Sequence, residues 1–382
     1  MKNLDLKRIL LLFVLLAICS CSGIKKRKYK IREARFTKTK YSQILGWNYD
    51  NHLVTLKTFA NSCSAILKRK SNHSISNLTS LGGRSIHWQE ICKDLQRKNF
   101  KTNKEAKGFF EKWFSPYKVW NSKNSPVGRF TGYYEIEING SIKRDKKFKY
   151  PVYRPPQNLD IHQGKHYLSH SAINNGSLKR KGLELIWVDN HARLYFMHIQ
   201  GSGRIKLKNN QLMRLGYAGQ NGFDYESIGP YFKYYNAKNI NSALDMMRWI
   251  HRNPRDGKKI MERNQSYIFF KQINGDGPIG AQGVPLTVER SIALDSGVYP
   301  YGMPAWIETN LPKTENYLER KYRRLFITQD TGGAIKGAIR GDIFFGHGIR
   351  AEELACHMND KGSMYVLFPK NVKIPSIYYS AS

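Results

Sequence analysis

Residues 328–348 read TQDTGGAIKGAIRGDIFFGHG. An apolar, β-branched run, RRLFITQD at 323–330, ends on Asp330; a glycine-rich turn follows; a second apolar run, GDIFFG at 341–346, begins around Asp342. This is a strand, a turn and a strand, with a carboxylate at the end of one and the start of the other. In an alternating strand Phe344 shares the face of Asp342, and Ile343 and Phe345 point the other way. The same texture extends outward in SYIFFKQI, GVPLTV, SIALDSGVYPYGMPAWIET and MYVLF, with a short helix at AEELACHM. Many short strands separated by glycine turns predict a small closed barrel.

Toward the amino terminus the pattern changes. Leu53, Leu56, Phe59, Cys63, Ile66 and Leu67 recur at helical spacing, and Phe109, Phe110, Trp113 and Phe114 close a second helical segment with Asn103 as its expected cap. From Arg129 the chain becomes β-like again: RFTGYYEIEI, FKYPVYRPP, and a hairpin of LELIWV with ARLYFMHIQ hinged at Asp189, Asn190 and His191. INSALDMMRWIHRN is helical, with Leu244, Met247 and Ile250 on one face before Pro254 stops it. The expected class is therefore mainly β with helices, an α+β fold.

The first residues read as an address. After Lys2, Lys7 and Arg8 comes ILLLFVLLAI at 9–18, about half of the ~20 apolar residues that a spanning helix needs. Residues 1–20 read as a signal peptide. Ser20 supplies the small residue before Cys21, which reads as the lipidated first residue of the mature protein. Residues 21–44 then form an anchor and basic linker. Ser22 after Cys21 carries no aspartate retention signal, which favours an outer-membrane lipoprotein facing the periplasm. Cys63, Cys92 and Cys356 remain; an oxidising compartment permits one bridge, with Cys63 and Cys92 as one pairing.

Composition excludes little. The chain of 382 residues has 63 Lys and Arg against 29 Asp and Glu, a formal charge of +34. Such a field suits nucleic acid, anionic lipid or an acidic polymer, and equally follows from a compositional bias toward lysine. No aromatic-plus-basic nucleic-acid module accompanies it, so no nucleic-acid partner is expected. No CxxC, HExxH, P-loop or GxGxxG is present, so neither metal nor cofactor is expected.

Three acids are candidates for chemistry. Asp342 opens an apolar strand, and apolar surroundings raise a carboxyl pKa toward general-acid duty. Asp330, in DTGG, and Asp295, in ALDSG, occupy turns where a carboxylate commonly caps backbone amides. A DTG turn also marks aspartic proteases, but these need two such aspartates sharing a proton, and this chain has one.

Six ordered blocks, FTGYY at 130–134, YPVYR at 150–154, QGSG at 200–203, YAGQNG at 217–222, SIG at 227–229 and DTGGAIKG followed by GDIFFGHG, resemble the membrane-bound lytic murein transglycosylase A family. The resemblance covers about Phe130 to Leu367. It implies a double-psi β-barrel built from 45–133 plus 262–382 and a smaller β domain inserted at 134–261, with a substrate groove between them. It implies Asp342 as the catalytic acid and Asp330 as a supporting residue; Asp295, a turn acid of the same kind, is expected to support it too. Thr131, Gly132, Tyr133, Gln200, Ser202, Gly203, Tyr217 and Ala218 match the saccharide path. The implied substrate is the peptidoglycan glycan strand, cleaved without water and without a cofactor. Partners among cell-wall synthesis or division proteins cannot be read from these motifs. His198 departs from the family pattern, standing where an acidic residue is expected. A hydrolase pairing Asp342 with a second carboxylate and a non-catalytic glycan-binding lipoprotein stay open as alternatives.

Overall fold

The structure is a computed structural model, and it describes residues 34–79, 81–159, 165–275 and 277–374. The expected signal peptide and the lipidation of Cys21 lie outside the described residues. Among those described, no helix is long and apolar enough to cross a membrane.

The basic stretch assigned to a linker joins the folded body at its end. Strand β1 (Arg35–Lys38) pairs antiparallel with β2 (Phe114–Trp120), and Phe36, between two outward residues, is fully buried. Three helices follow β1: α1 (His52–Ile66), α2 (Ser85–Gln96) and α3 (Asn103–Trp113). The cap of α3 is Thr102 rather than Asn103. Thr102 accepts from Glu105 N at 3.2 Å while Glu105 reaches back to Thr102 N at 2.8 Å, a reciprocal box that Asn103 cannot form from inside the helix. Phe59, Phe110, Phe114 and Trp88 pack between the three helices, and a Cys63–Cys92 disulfide ties α1 to α2. This helical layer is fixed to the strands by a buried ion pair. Arg290 grips both oxygens of Asp50 at 2.7 and 2.8 Å, and Asp50 also accepts from Leu325 N. Removing either partner would leave an uncompensated buried charge, a loss of about 3–5 kcal/mol.

Six strands close on themselves. β3 (Gly128–Ser141), β12 (Arg340–His347), β9 (Ser291–Leu294), β11 (Arg320–Asp330), β10 (Pro304–Leu311) and β13 (Asn359–Pro369) pair in that order, and β13 returns to β3. The pairs β3/β12 and β9/β11 are parallel and the others antiparallel. A ring leaves no open edge among its members and puts one face of every strand into a shared core of Phe130, Ile292, Ala305, Phe326, Ile343 and Val366. The stretch GVPLTV forms no strand; only Pro285 bridges, to Ile279.

β3 outlasts the ring. Residues 129–135 pair with β12, and from Ile136 the same strand pairs with β6 (Ser202–Leu207). There it joins a second sheet with β4 (Tyr150–Tyr153), β5 (Glu184–Val188), β7 (Leu212–Gln220) and β8 (Ile268–Ile273). At the handover Arg214 of β7 donates to both oxygens of buried Glu135 at 2.8 Å, pinning the second sheet to the strand it shares with the ring.

The expected hairpin partner ARLYFMHIQ is a helix, α4 (His191–Gln200). Asn190 caps it by accepting from Arg193 N, and Gly201 closes it in the left-handed region. Ala192 and Leu194 to His198 are all buried, so this short helix shows no polar stripe and its sequence mimics a strand. Two more helices, α5 (Ala243–Arg252) and α6 (Pro254–Met261), keep the expected break at Pro254. α7 (Ile349–His357) packs on β3 and β12. The mixed α+β class expected from the sequence is the class observed.

Candidate active site

The short strand β9 lies between β11 and β12, and its register decides the site. Ala293 is paired with Asp330 on one side and Asp342 on the other, and Asp342 is paired in turn with Thr131 of β3. Paired residues share a face, so Asp330, Ala293, Asp342 and Thr131 form one row across four strands. Two strand spacings put the two aspartate backbones about 10 Å apart, with only the Ala293 methyl between. One step along, Tyr133 and Phe344 form the next pair, their rings 5.3 Å apart. Tyr133, Phe344, Ala293, Leu286 and Ile335 make a small apolar cluster separate from the main core, while Ile343 and Phe345 belong to that core. The predicted alternation of the strand therefore holds, and the carboxylates stand beside an apolar floor.

Each acid has its own partners. Thr131 Oγ1 donates to Asp342 Oδ1, and Arg340 Nη2 donates to Thr131 Oγ1 at 2.9 Å. Burial raises the Asp342 carboxyl above the ordinary range, and the Arg340 charge and the Thr131 hydrogen bond offset only part of that rise. No described residue hydrogen-bonds to Asp342 Oδ2, so one oxygen remains to meet a substrate. Asp330 is saturated: Oδ2 accepts from the Tyr133 hydroxyl at 2.8 Å and Oδ1 from Ala281 N and Thr331 N at 2.9 Å each. Burial raises Asp330 as well, its three hydrogen bonds pull it back, and the Asp342 charge adds to the rise. The Tyr133 phenol is pushed well above 10 by burial and then by Asp330, so it stays a donor. Asp295 is a fastener, accepting from Gly297 N at 3.0 Å and Gly337 N at 2.8 Å. With Tyr299, whose hydroxyl donates to Ala338 O, it holds the 331–339 turn in place; Gly337 there adopts φ +108°, which a side chain would resist.

The remaining expected residues lie along β3 and on the second sheet. Gln200 Oε1 accepts from Tyr134 N at 3.0 Å, next to Tyr133. Gly132 faces away from Asp342, where a Cβ would meet Phe345 at 2.4 Å and the Ala355 Cα at 3.0 Å. Gly203 lies under Met197, a Cβ there reaching its sulfur at 2.3 Å, and Ser202 is buried. Both glycines allow close packing. Tyr217 is 50% exposed, opposite Phe270 at a bulge that includes Ala218. The glycine turn approaches this region, a Cβ on Gly333 standing 3.8 Å from that of Tyr225. His198 is buried against Tyr267 and Phe270 with Nδ1 3.0 Å from Ile268 O, a core residue rather than a site residue. Arg340 escaped the sequence reading, although its place two residues before Asp342 puts it on the same strand face. Among the described residues no cluster of His, Cys, Asp and Glu could hold a metal ion.

With this geometry in place, the chain can be set beside known proteins. Residues 129–271 match the family model described as the MltA specific insert domain, and residues 290–368 match the 3D domain. A membrane-bound lytic murein transglycosylase A homolog of Buchnera aphidicola is 30% identical over 244 residues, covering 63% of this chain and 66% of the relative. The alignment thus spans just under two thirds of that relative's length. The membrane-bound lytic murein transglycosylase of Agrobacterium tumefaciens superposes with a TM-score of 0.77 at 26% identity, over 88% of this chain and 98% of the other. E. coli MltA with bound chitohexaose gives 0.66 at 25%, over 88% and 94%. The lytic transglycosylase LtgG of Burkholderia pseudomallei gives 0.59 at 32%, over 88% and 96%. Similarity of that extent to LtgG, with two domain models in order along one continuous fold, means that this chain belongs to the membrane-bound lytic murein transglycosylase A family.

Proposed function

We propose that this protein is a peptidoglycan lytic transglycosylase that cleaves the β-1,4 bond between N-acetylmuramic acid and N-acetylglucosamine with Asp342 as its single catalytic acid. One observation carries the reading: of the three acids, Asp342 alone combines a raised pKa with an unoccupied oxygen, while Asp330 and Asp295 spend both oxygens on the protein. A hydrolase requires a second carboxylate free to activate water or attack the sugar. Saturated Asp330 does not suit that task, which disfavours the hydrolase alternative.

Asp342 Oδ2 donates its proton to the departing glycosidic oxygen, and the carboxylate so formed takes the proton of the muramoyl C6 hydroxyl. That oxygen closes onto C1 to give the 1,6-anhydro ring. The nucleophile belongs to the substrate, so its effective concentration is high and no water is consumed. Arg340 and Thr131 stabilise the carboxylate formed between the two transfers. Asp330 orients Tyr133 beneath the reacting sugars.

The six-stranded ring serves as the double-psi barrel of the family, built from 45–133 and 262–382, and 134–261 forms the opposite wall of the groove. Thr131, Tyr133, Tyr217 and Ala218 mark the saccharide path, Tyr217 offering an exposed ring to a sugar face, while Gly132, Gln200, Ser202 and Gly203 hold the strands behind it. The oligosaccharide named in the solved E. coli relative fits this assignment. A lipid on Cys21 would hold the enzyme at the outer membrane, facing the wall. Mass spectrometry of digested sacculi tests the reaction: anhydromuropeptides lighter by one water are expected from the wild type and none from Asp342→Asn. Reducing-end products instead would point to hydrolysis, and full activity of Asp342→Asn would overturn the site.

A further inference from the structure

A cavity of about 1140 Å³ lies away from Asp342, within the second sheet and the helices behind it. Its lining is unusual in charge. Seven lysines and arginines, among them Arg144, Lys149, Lys179 and Arg180, face two carboxylates, Glu184 and Asp189. Those four cations have no carboxylate within ion-pair distance among the described residues, so their charge is not neutralised internally. Arg180 holds a left-handed backbone, φ +60°, uncommon for a residue with a side chain.

The walls are aromatic. Arg144 sits over the Trp187 ring at 5.6 Å, and Tyr150 stacks on His191 at 4.7 Å between ring centres. The positive field reaches this wall: burial first, then Lys258 and Lys149, hold the His191 imidazole down to about 4, neutral at physiological pH. A concave, aromatic-walled cavity of this size suits a discrete ligand rather than a flat membrane surface. Its charges call for a ligand with several anionic groups, and Glu184, whose carboxylate makes no hydrogen bond or ion pair among the described residues, is available to a cationic group on the same ligand.

We propose that this cavity is a binding site for a short acidic peptide bearing several carboxylates and a free amine, the chemistry of the stem peptides carried by the proposed substrate. This rests on the peptidoglycan reading above and extends it. The second sheet would then hold a stem while the groove beside Asp342 holds the glycan, so that peptide-bearing wall is engaged at two places and naked glycan at one. It also gives the cluster of lysines in this half of the chain a use that compositional bias does not.

Calorimetric titration of the full mature chain in detergent, with a synthetic tetrapeptide bearing three free carboxylates and one free amine, tests the site. Binding is expected, weakened roughly tenfold or more by Lys149→Glu with Lys179→Glu, by amidation of the peptide carboxylates, or by high salt. Both lysines are exposed, so the double variant should unfold thermally as the wild type does. Absence of binding, or binding that the double variant leaves unchanged, overturns the proposal. Phosphatidylglycerol vesicles form a second arm: vesicle binding lost in the double variant, without peptide binding, would assign the cavity to a lipid headgroup and refute the peptide. Anhydro products from sacculi with no peptide binding would sink this site alone, whereas peptide binding without such products would sink the catalytic reading.

Discussion

Acidification should loosen the second sheet, and His170 gives the effect a magnitude. Its ring is buried and stacked on Tyr195, with Tyr267 and His198 edge-on at 5.3 and 5.5 Å, and Nδ1 has no hydrogen-bond partner. Burial, with a smaller push from His191, lowers its pKa from 6.5 to about 3. A group whose folded pKa is depressed binds its proton more readily in the unfolded chain. For a histidine this means that stability present above pH 6.5 is lost as the pH falls toward 3. At pH 5 the unfolded ring is almost fully protonated and the folded ring almost wholly neutral, which costs about 2 kcal/mol relative to pH 8. His198, held well below its ordinary value by burial and then by the His170 charge, acts in the same direction. Asp330 and Asp342 oppose it, since their raised pKa values make protonation in acid favourable to the fold. The histidine contribution must therefore be isolated by difference.

Urea denaturation of the wild type and of His170→Gln, each at pH 8 and pH 5, makes that separation. The intercepts will differ because the substitution disturbs packing; the acid-induced loss should be smaller in the variant by about 2 kcal/mol. If both proteins lose the same stability between the two pH values, the assignment of acid sensitivity to this ring fails. The consequence reaches function through α4, which carries His198 near one end and Gln200 at its last residue, bonded to the backbone beside Tyr133.

Two further outcomes follow from named contacts. Thr131→Val removes a hydrogen bond that favours the Asp342 carboxylate, and a bond to a charged group is worth about 1.5–3 kcal/mol, so the alkaline limb of the kcat/KM profile should move up by roughly one to two pH units; an unmoved limb would show that Asp342 is not the titrating acid. Cys63→Ser with Cys92→Ser opens a loop of 29 residues, for which chain entropy gives a loss of about 3–4 kcal/mol, read as a lower urea midpoint with the anhydro products unchanged; an unshifted midpoint would mean that the packing of α1 on α2 suffices without the bond.

Which parts of this molecule were readable depended on how far each signal travels along the chain. The strands around 328–348 were legible because each is a short apolar run bounded by a glycine turn, and once the run is a strand the face shared by Asp342 and Phe344 follows from alternation. α4 was not, since burial on nearly every side erased the contrast that separates a period of 3.6 from one of 2, and its capping by Asn190 was mistaken for a hinge. β6 and β7 were missed for the opposite reason: their glycines and basic residues interrupt any apolar run, and what makes them strands is pairing with β3, far earlier in the chain. The active site divides in the same way. That Asp342 stands among apolar residues was written locally, in GDIFFG. That Asp330 is saturated was not, because the groups that occupy it, Tyr133 and the Ala281 amide, arrive from two distant segments that the ring brings to either side of Ala293. The difference between the two aspartates, and with it the case for one acid rather than a pair, is a property of the closed ring and of the register that closes it.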